Sequence, residues 1–276
     1  MDWRRAKTIL ILMFLVLNIV LSVVLYRSIR VPGISEQTIN NTTAILRKNN
    51  VHIERPIPRY VGNDYMLKFE ETIIGEIDKK RIAEGLLGNN YVVTGDTYVN
   101  GTEKLVFFDD CGFEYTDSGS NKKIYTQTKS DIDISLKNLA KKLNIPFNEF
   151  RQDDFYQLPS GDGVRAVYKG VYNDYSVYDN YIEVEVGSTG LKSFRYHYKK
   201  PVSIMALDVK VIPVYQILIT KITKHPGMTI VGVDLGFKAM NVDKDTKTLY
   251  EGLSWRIKTS DREELYFNAR NGEQME

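Results

Sequence analysis

Residues 181–199 read YIEVEVGSTGLKSFRYHYK. In the first half, Ile182, Val184 and Val186 alternate with Tyr181, Glu183 and Glu185. Successive side chains of a strand point to opposite faces, so this segment makes one apolar and one polar face. Gly187-Ser188-Thr189-Gly190 supplies a turn, and Phe194, Tyr196 and Tyr198 then alternate with Arg195, His197 and Lys199 on a return strand. Two strands of the same period around a tight turn are an antiparallel pair. Their apolar face needs a cover. The cover stands upstream, where Ile132, Leu136, Leu139, Ala140 and Leu143 recur at helical spacing before Pro146 ends the run.

The same plan recurs on both sides. Downstream, Pro213 suits the first turn of a helix. Tyr215, Leu218, Ile219 and Ile222 form its stripe, and His225-Pro226-Gly227 ends it. Strands follow at 229–237, 249–258 and 264–270, with a turn over 259–262. In the middle strand Leu253, Trp255 and Ile257 face one way and Ser254, Arg256 and Lys258 the other. Upstream, Ser35 or Thr38 caps a helix carrying Ile39 and Leu46 that ends near Asn49-Asn50. An extended stretch over 55–58 and a strand over 65–69 come next. Asp78 opens a short helix that Gly88 stops. Strands at 91–99 and 104–108 flank Asn100-Gly101, a hairpin signal because both residues tolerate positive φ. Ser118-Gly119-Ser120-Asn121 is a loop, and Gly161-Asp162-Gly163 is a turn before a strand over 164–171. The pattern predicts an α+β body of repeated helix-on-antiparallel-sheet modules, in segments 27–130, 131–206 and 207–276.

The N-terminus differs in kind. It reads MDWRRAKTILILMFLVLNIVLSVVLYRSIR, and the 18 residues from Ile9 to Tyr26 carry no charge. As a helix they rise about 27 Å, close to the hydrocarbon thickness of a bilayer. The bulky end Val23-Val24-Leu25-Tyr26 offers no small-residue cleavage site, so the run reads as an uncleaved transmembrane helix. Val31-Pro32-Gly33 breaks it. Arg4, Arg5 and Lys7 before the run outnumber Arg27 and Arg30 after it, which sets residues 1–8 as a cytoplasmic tail. The expected location is the cell membrane, single-pass, with the bulk of the chain extracytoplasmic. Asn18 and Ser22 are four residues apart and share a helix face, a candidate contact with another membrane helix. The plainer alternative is a tolerated pair, with the polar groups bonding back to their own helix.

Composition narrows the rest. The chain has 37 Lys+Arg and 35 Asp+Glu, a formal +2; residues 1–30 carry +4, which leaves −2 for the body. Nucleic-acid binding needs a concentrated basic face, and a near-neutral body excludes that class. The single Cys111, in FFDDCGF, forms no internal disulfide and reads as a half-buried strand residue. His52, His197 and His225 fall in separate units without a second ligand at metal spacing. His197 alternates onto the polar face of its strand, which reads as surface. Asp109-Asp110 and Asp153-Asp154 point to opposite sides of a strand and make no acid-base pair; they read as solvated strand ends or caps. Gly161-Asp162-Gly163 lacks the helix and Lys of a phosphate loop. No catalytic, metal or cofactor site is expected.

The two termini together carry a resemblance. Met1-Asp2-Trp3 and Lys7-Thr8-Ile9 lead into one span. At the other end stand Val233-x-Leu235-Gly236-Phe237, Trp255-Arg256-Ile257, and Tyr266-Phe267-Asn268-Ala269 with Gly272-Glu273. In this the chain resembles the YycI (WalI) family. Leu253-Ser254 is a departure, since relatives often carry Pro before the Trp. The resemblance implies a YycH-like ectodomain and no catalysis. It implies an accessory role in the YycG/YycF (WalK/WalR) two-component system, which governs cell-wall metabolism in Gram-positive bacteria. The implied partners are the sensor histidine kinase, a YycH-like sister protein and the lipid bilayer, with contacts among membrane helices. An alternative is an anchored extracytoplasmic peptide- or protein-binding module of inhibitor type, with Tyr196, Tyr198 and Trp255 as surface aromatics. An envelope enzyme with an unrecognised site is the third.

Overall fold

In the computed structural model the described residues are 3–30, 33–70, 73–108, 110–119, 123–124, 128–239 and 250–275. Side chains of the first helix are described at Trp3 and over 7–22. Met1-Asp2, the Val31-Pro32 helix break, Asp109, Ser120-Asn121 and the strand start at Leu249 lie outside the described residues. So do the side chains of 23–26.

In chain order the elements are α1 Trp3–Arg30, α2 Glu36–Lys48, β1 His52–Ile53, β2 Asn63–Phe69, α3 Glu76–Leu87, β3 Val92–Thr94, β4 Thr97–Asn100, β5 Glu103–Phe108 and β6 Gly112–Asp117. There follow α4 Lys129–Leu143, β7 Phe150–Gln157, β8 Val164–Tyr172, β9 Tyr175–Gly187, β10 Gly190–His197 and β11 Pro201–Lys210. The last are α5 Val214–Thr220, β12 Thr229–Ala239, β13 Tyr250–Thr259, β14 Glu264–Asn268 and β15 Gln274–Met275. The protein is mixed α+β, with five α-helices and one large branched sheet among the described residues.

Local chemistry sets the element ends. Ser35 Oγ accepts from the Thr38 N–H at 3.1 Å and caps α2. Gly88 stops α3 with φ +79, and Asn144 stops α4 in the left-handed region just before Pro146. Gly101, with φ +61, turns β4 into β5. A second turn at Gly95, φ +59, splits the predicted 91–99 strand into β3 and β4.

Three times a helix is followed by a four-stranded antiparallel meander. α3 precedes β3-β4-β5-β6, α4 precedes β7-β8-β9-β10, and α5 precedes β12-β13-β14-β15. The first begins at the second of the two upstream helices. β9 and β13 join the meanders because each serves two neighbours along one edge. β9 pairs β12 in parallel at Ser176–Val177 and β10 beyond Tyr181, while β13 pairs β2 over Tyr250–Gly252 and β14 over Ser254–Lys258.

Two apolar cores result. The first is built within 74–198, where α3 and α4 cover the apolar faces of β4–β6 and β8–β10. Ile182, Val184, Val186 and Phe194 are wholly buried in it, while Tyr181, Glu183 and Glu185 stay half-buried on the other face. The second draws on both ends of the body: α2 and β2 join α5, β12 and β13 around Trp255. Tyr196, Tyr198 and Trp255 are core residues, and Trp255 Nε1 donates to the Ile212 carbonyl at 2.8 Å. They are therefore not surface aromatics. β11, which periodicity did not announce, pairs with β2 and is exposed along most of its length.

Candidate functional site

The predicted contact residues sit on α1, one continuous helix of 28 residues. Every large apolar side chain from Ile9 to Leu21 is at least half exposed. No helix among the described residues is long and apolar enough to cross a membrane. Asn18 and Ser22 are both exposed. The Asn18 amide Nδ2 donates to the Phe14 carbonyl one turn back, at 2.9 Å. An Asn side chain has two N–H donors and a carbonyl acceptor. One donor is therefore held by the helix itself, and the carbonyl oxygen has no partner among the described residues.

In the body, sequence periodicity hid a buried charge network. Arg256 alternates away from Trp255, yet it is only 3% exposed. β7 lies against that second face of β13 and supplies Asp153. The Arg256 guanidinium grips Asp153 with two bonds, Nη2–Oδ1 at 2.7 Å and Nη1–Oδ2 at 2.8 Å. It also donates to Glu264 Oε1 at 2.9 Å and, through Nε, to Asp234 at 3.2 Å. Lys258 adds a second cation, 3.2 Å from Asp153. The buried Tyr178 hydroxyl donates to Asp234 at 2.5 Å.

Burial by itself raises the Asp153 carboxyl, but the hydrogen bond and charge of Arg256 outweigh it and hold the group below the usual carboxylate range. Asp153 is thus a half-buried ionic anchor rather than a solvated strand end. Lys169, facing the Tyr178 carbonyl at 3.2 Å, is lowered by burial. These cations and carboxylates are bound to one another, which makes the cluster a clamp of β7 on β12–β14.

A second polar group lies where the two cores meet. Glu251 on β13 pairs with Ala239 on β12, and the Ala239 N–H donates to Asp179 of β9 at 2.8 Å. Lys238 holds the other Asp179 oxygen at 3.2 Å. Glu251 is buried, and neither carboxylate oxygen has a hydrogen-bond partner among the described residues. Burial first, then the Asp179 charge, pushes its carboxyl up to about 8. Asp179 also offers its carbonyl to His197 Nδ1 at 2.5 Å, and His197 Nε2 meets Cys111 Sγ at 3.1 Å.

His197 is therefore buried, not a surface residue. Phe108 and Tyr181 stack on its ring. A carbonyl can only accept, so Nδ1 carries the proton and Nε2 is free to accept from the thiol. Cys111 is buried rather than half-buried, and a reactive thiolate needs an accessible, electropositive setting. His52 and His225 are exposed. Among the described residues no group of three or more His, Cys, Asp or Glu is placed to hold a metal ion.

These features define a class first: a mixed α+β protein on one large sheet, in which the buried Arg256 is held by the carboxylates around it. Residues 32–270 match the family described as YycI protein, and the chain belongs to the YycI family. That family consists of regulatory accessory proteins and is not a known enzyme family; membership supports a role in regulating the YycG/YycF system. No match was found among curated protein sequences. Among solved structures, the chain is similar to YycH from Bacillus subtilis at 9% identity and a TM-score of 0.47, over 72% of this chain and 51% of that one. The chain thus spans about half of that structure. It is also similar to an uncharacterized protein from Eubacterium rectale ATCC 33656, at 9% identity and a TM-score of 0.45, over 82% of this chain and 91% of that one.

Proposed function

We propose that this YycI-family chain is a membrane-anchored extracytoplasmic regulator of a sensor histidine kinase of the YycG type. In this reading it acts with a YycH-like partner through contacts among membrane helices, on a pathway that controls cell-wall metabolism. The observation that carries the anchoring is the charge-free run Ile9–Tyr26, flanked by Arg4, Arg5 and Lys7 on one side and Arg27 and Arg30 on the other. The family membership carries the regulatory role. Asn18 and Ser22 are the proposed contact face. In hydrocarbon, the Asn18 carbonyl gains from a donor on a neighbouring helix, by about 0.5–2 kcal/mol.

The test replaces residues 9–26 by an unrelated span of equal length and reads transcription of the kinase pathway's target genes. Altered output, together with weaker co-purification of the kinase by Asn18→Leu, is the expected result. Unchanged regulation with the foreign span would sink the helix-contact reading.

A further inference from the structure

The outer side of α4 and the start of β7 enclose a groove made of two adjoining hollows, of about 640 Å³ and 350 Å³, which share Lys137, Phe147 and Phe150. Three features of this groove stand apart from the Arg256 clamp, although Phe147 and Phe150 also pack at the margin of the first core.

The first is an open strand edge. β7 pairs with β8 on one side and with no other strand among the described residues. The smaller hollow touches Phe150, Arg151 and Gln152 in succession. Tyr168 of β8 lines it too, so this hollow lies between α4 and the β7–β8 pair and reaches the edge strand. The Gln152 Nε2 donor is buried there without a hydrogen-bond partner.

The second is charge. Lys137 and Lys141 stand one helical turn apart on α4, both exposed and without an ion-pair partner among the described residues. Arg151 adds a third cation; its contact with Asp174 is long, at 3.9 Å, and exposed on both sides. The one lining carboxylate, Asp133, accepts the Tyr168 hydroxyl. The third is an apolar floor. Ile134 is 62% exposed on α4, and the half-buried Phe147 and Phe150 face it across the groove.

We infer that this groove binds an acidic, extended segment of a partner polypeptide, which adds as a strand along the free edge of β7. Main-chain hydrogen bonds to β7 give the pairing, and alternate side chains of the segment serve the two sides of the groove. Carboxylates meet Lys137, Lys141 and Arg151, and aliphatic or aromatic side chains cover Ile134, Phe147 and Phe150. A polyanion without apolar side chains satisfies the cations but leaves that floor exposed. The inference goes beyond the membrane-helix reading and does not depend on it.

The test uses the full chain kept soluble in mild detergent and a fluorescein-labelled octapeptide of alternating Asp and Leu, followed by fluorescence anisotropy. The peptide is expected to bind, and salt is expected to weaken it. Lys137→Glu with Lys141→Glu, and separately Ile134→Ser, are expected to weaken binding about tenfold or more. These positions are exposed, so circular dichroism should be unchanged. A peptide N-methylated at alternate residues is expected to lose binding, because it cannot complete the strand pairing. Absence of binding, indifference to Ile134→Ser or to N-methylation, or equal binding of a glycerol-phosphate oligomer would each overturn the inference.

Discussion

Glu251 shows how much one side chain's setting depends on its neighbours. It continues the face of Leu253 and Trp255 on β13, and it is buried with both oxygens unpartnered. Its carboxyl lies near 8 when folded, against an ordinary value of 4.5. Between those values the folded chain holds a proton that the unfolded chain releases, so stability falls as pH rises through that window. Glu251→Gln removes this dependence. The variant should gain over the native protein as pH rises from 5 to 8, by up to about 1.4 kcal/mol per pH unit. Thermal melts across this range check it, and a pH-independent difference would refute it. The buried Cys111–His197 contact is likewise a matter of setting: 86 residues separate the two, and no spacing rule links them.

At the scale of elements, the termini and turns were the most legible parts. Ser35 at the head of α2 acts through its side-chain oxygen, and Gly88 behind α3, Pro146 behind α4 and Gly101 in the β4–β5 turn through their own backbone preferences, and the structure uses them so. What lay across each strand was not legible. Asp153 on β7 and Arg256 on β13 are far apart in sequence; the one read as a solvated strand end and the other only as facing away from Trp255, until the fold joins them by two hydrogen bonds. Their bond has a testable consequence. Asp153→Asn removes the carboxylate gripped by two bonds from a nearly buried guanidinium, at a cost of about 3 kcal/mol. Because Arg256 keeps the Asp153 carboxyl low, its contribution is present above the ordinary carboxylate range and is lost as pH falls through it. Urea unfolding at pH 7 should show the lower midpoint, and the gap between variant and native should shrink in acid. An unchanged midpoint at pH 7 would remove the clamp from the argument.

On the scale of the whole molecule, three helix-and-meander units share one sheet, but the cores do not each belong to one unit. The helix α5 has seven residues, and α2 from the far end of the body joins it over β12 and β13. Leu46 on α2 and Trp255 on β13 are both fully buried in that core. Leu46→Ala should therefore cost about 2–5 kcal/mol and shift the unfolding transition seen by Trp255. To isolate that signal, the exposed Trp3 is first changed to Phe. If α2 folded independently of the C-terminal strands, the Trp255 transition would stay where it is.

The amino-acid sequence by itself determined the α+β class, most helix and strand positions, the alternation of Ile182, Val184 and Val186, and the charge-free N-terminal run. These follow from periods of 2 and 3.6 and from Gly, Pro and capping residues, all of which act within a few positions of chain. Only the tertiary structure decided that Arg256, Glu251 and His197 are buried and Asp153 half-buried, that α2 covers the C-terminal strands, and that β7 keeps a free edge beside α4. The reason is physical. Alternation tells which side chains share a face of a strand, but whether that face meets water depends on strands and helices that join it from elsewhere in the chain.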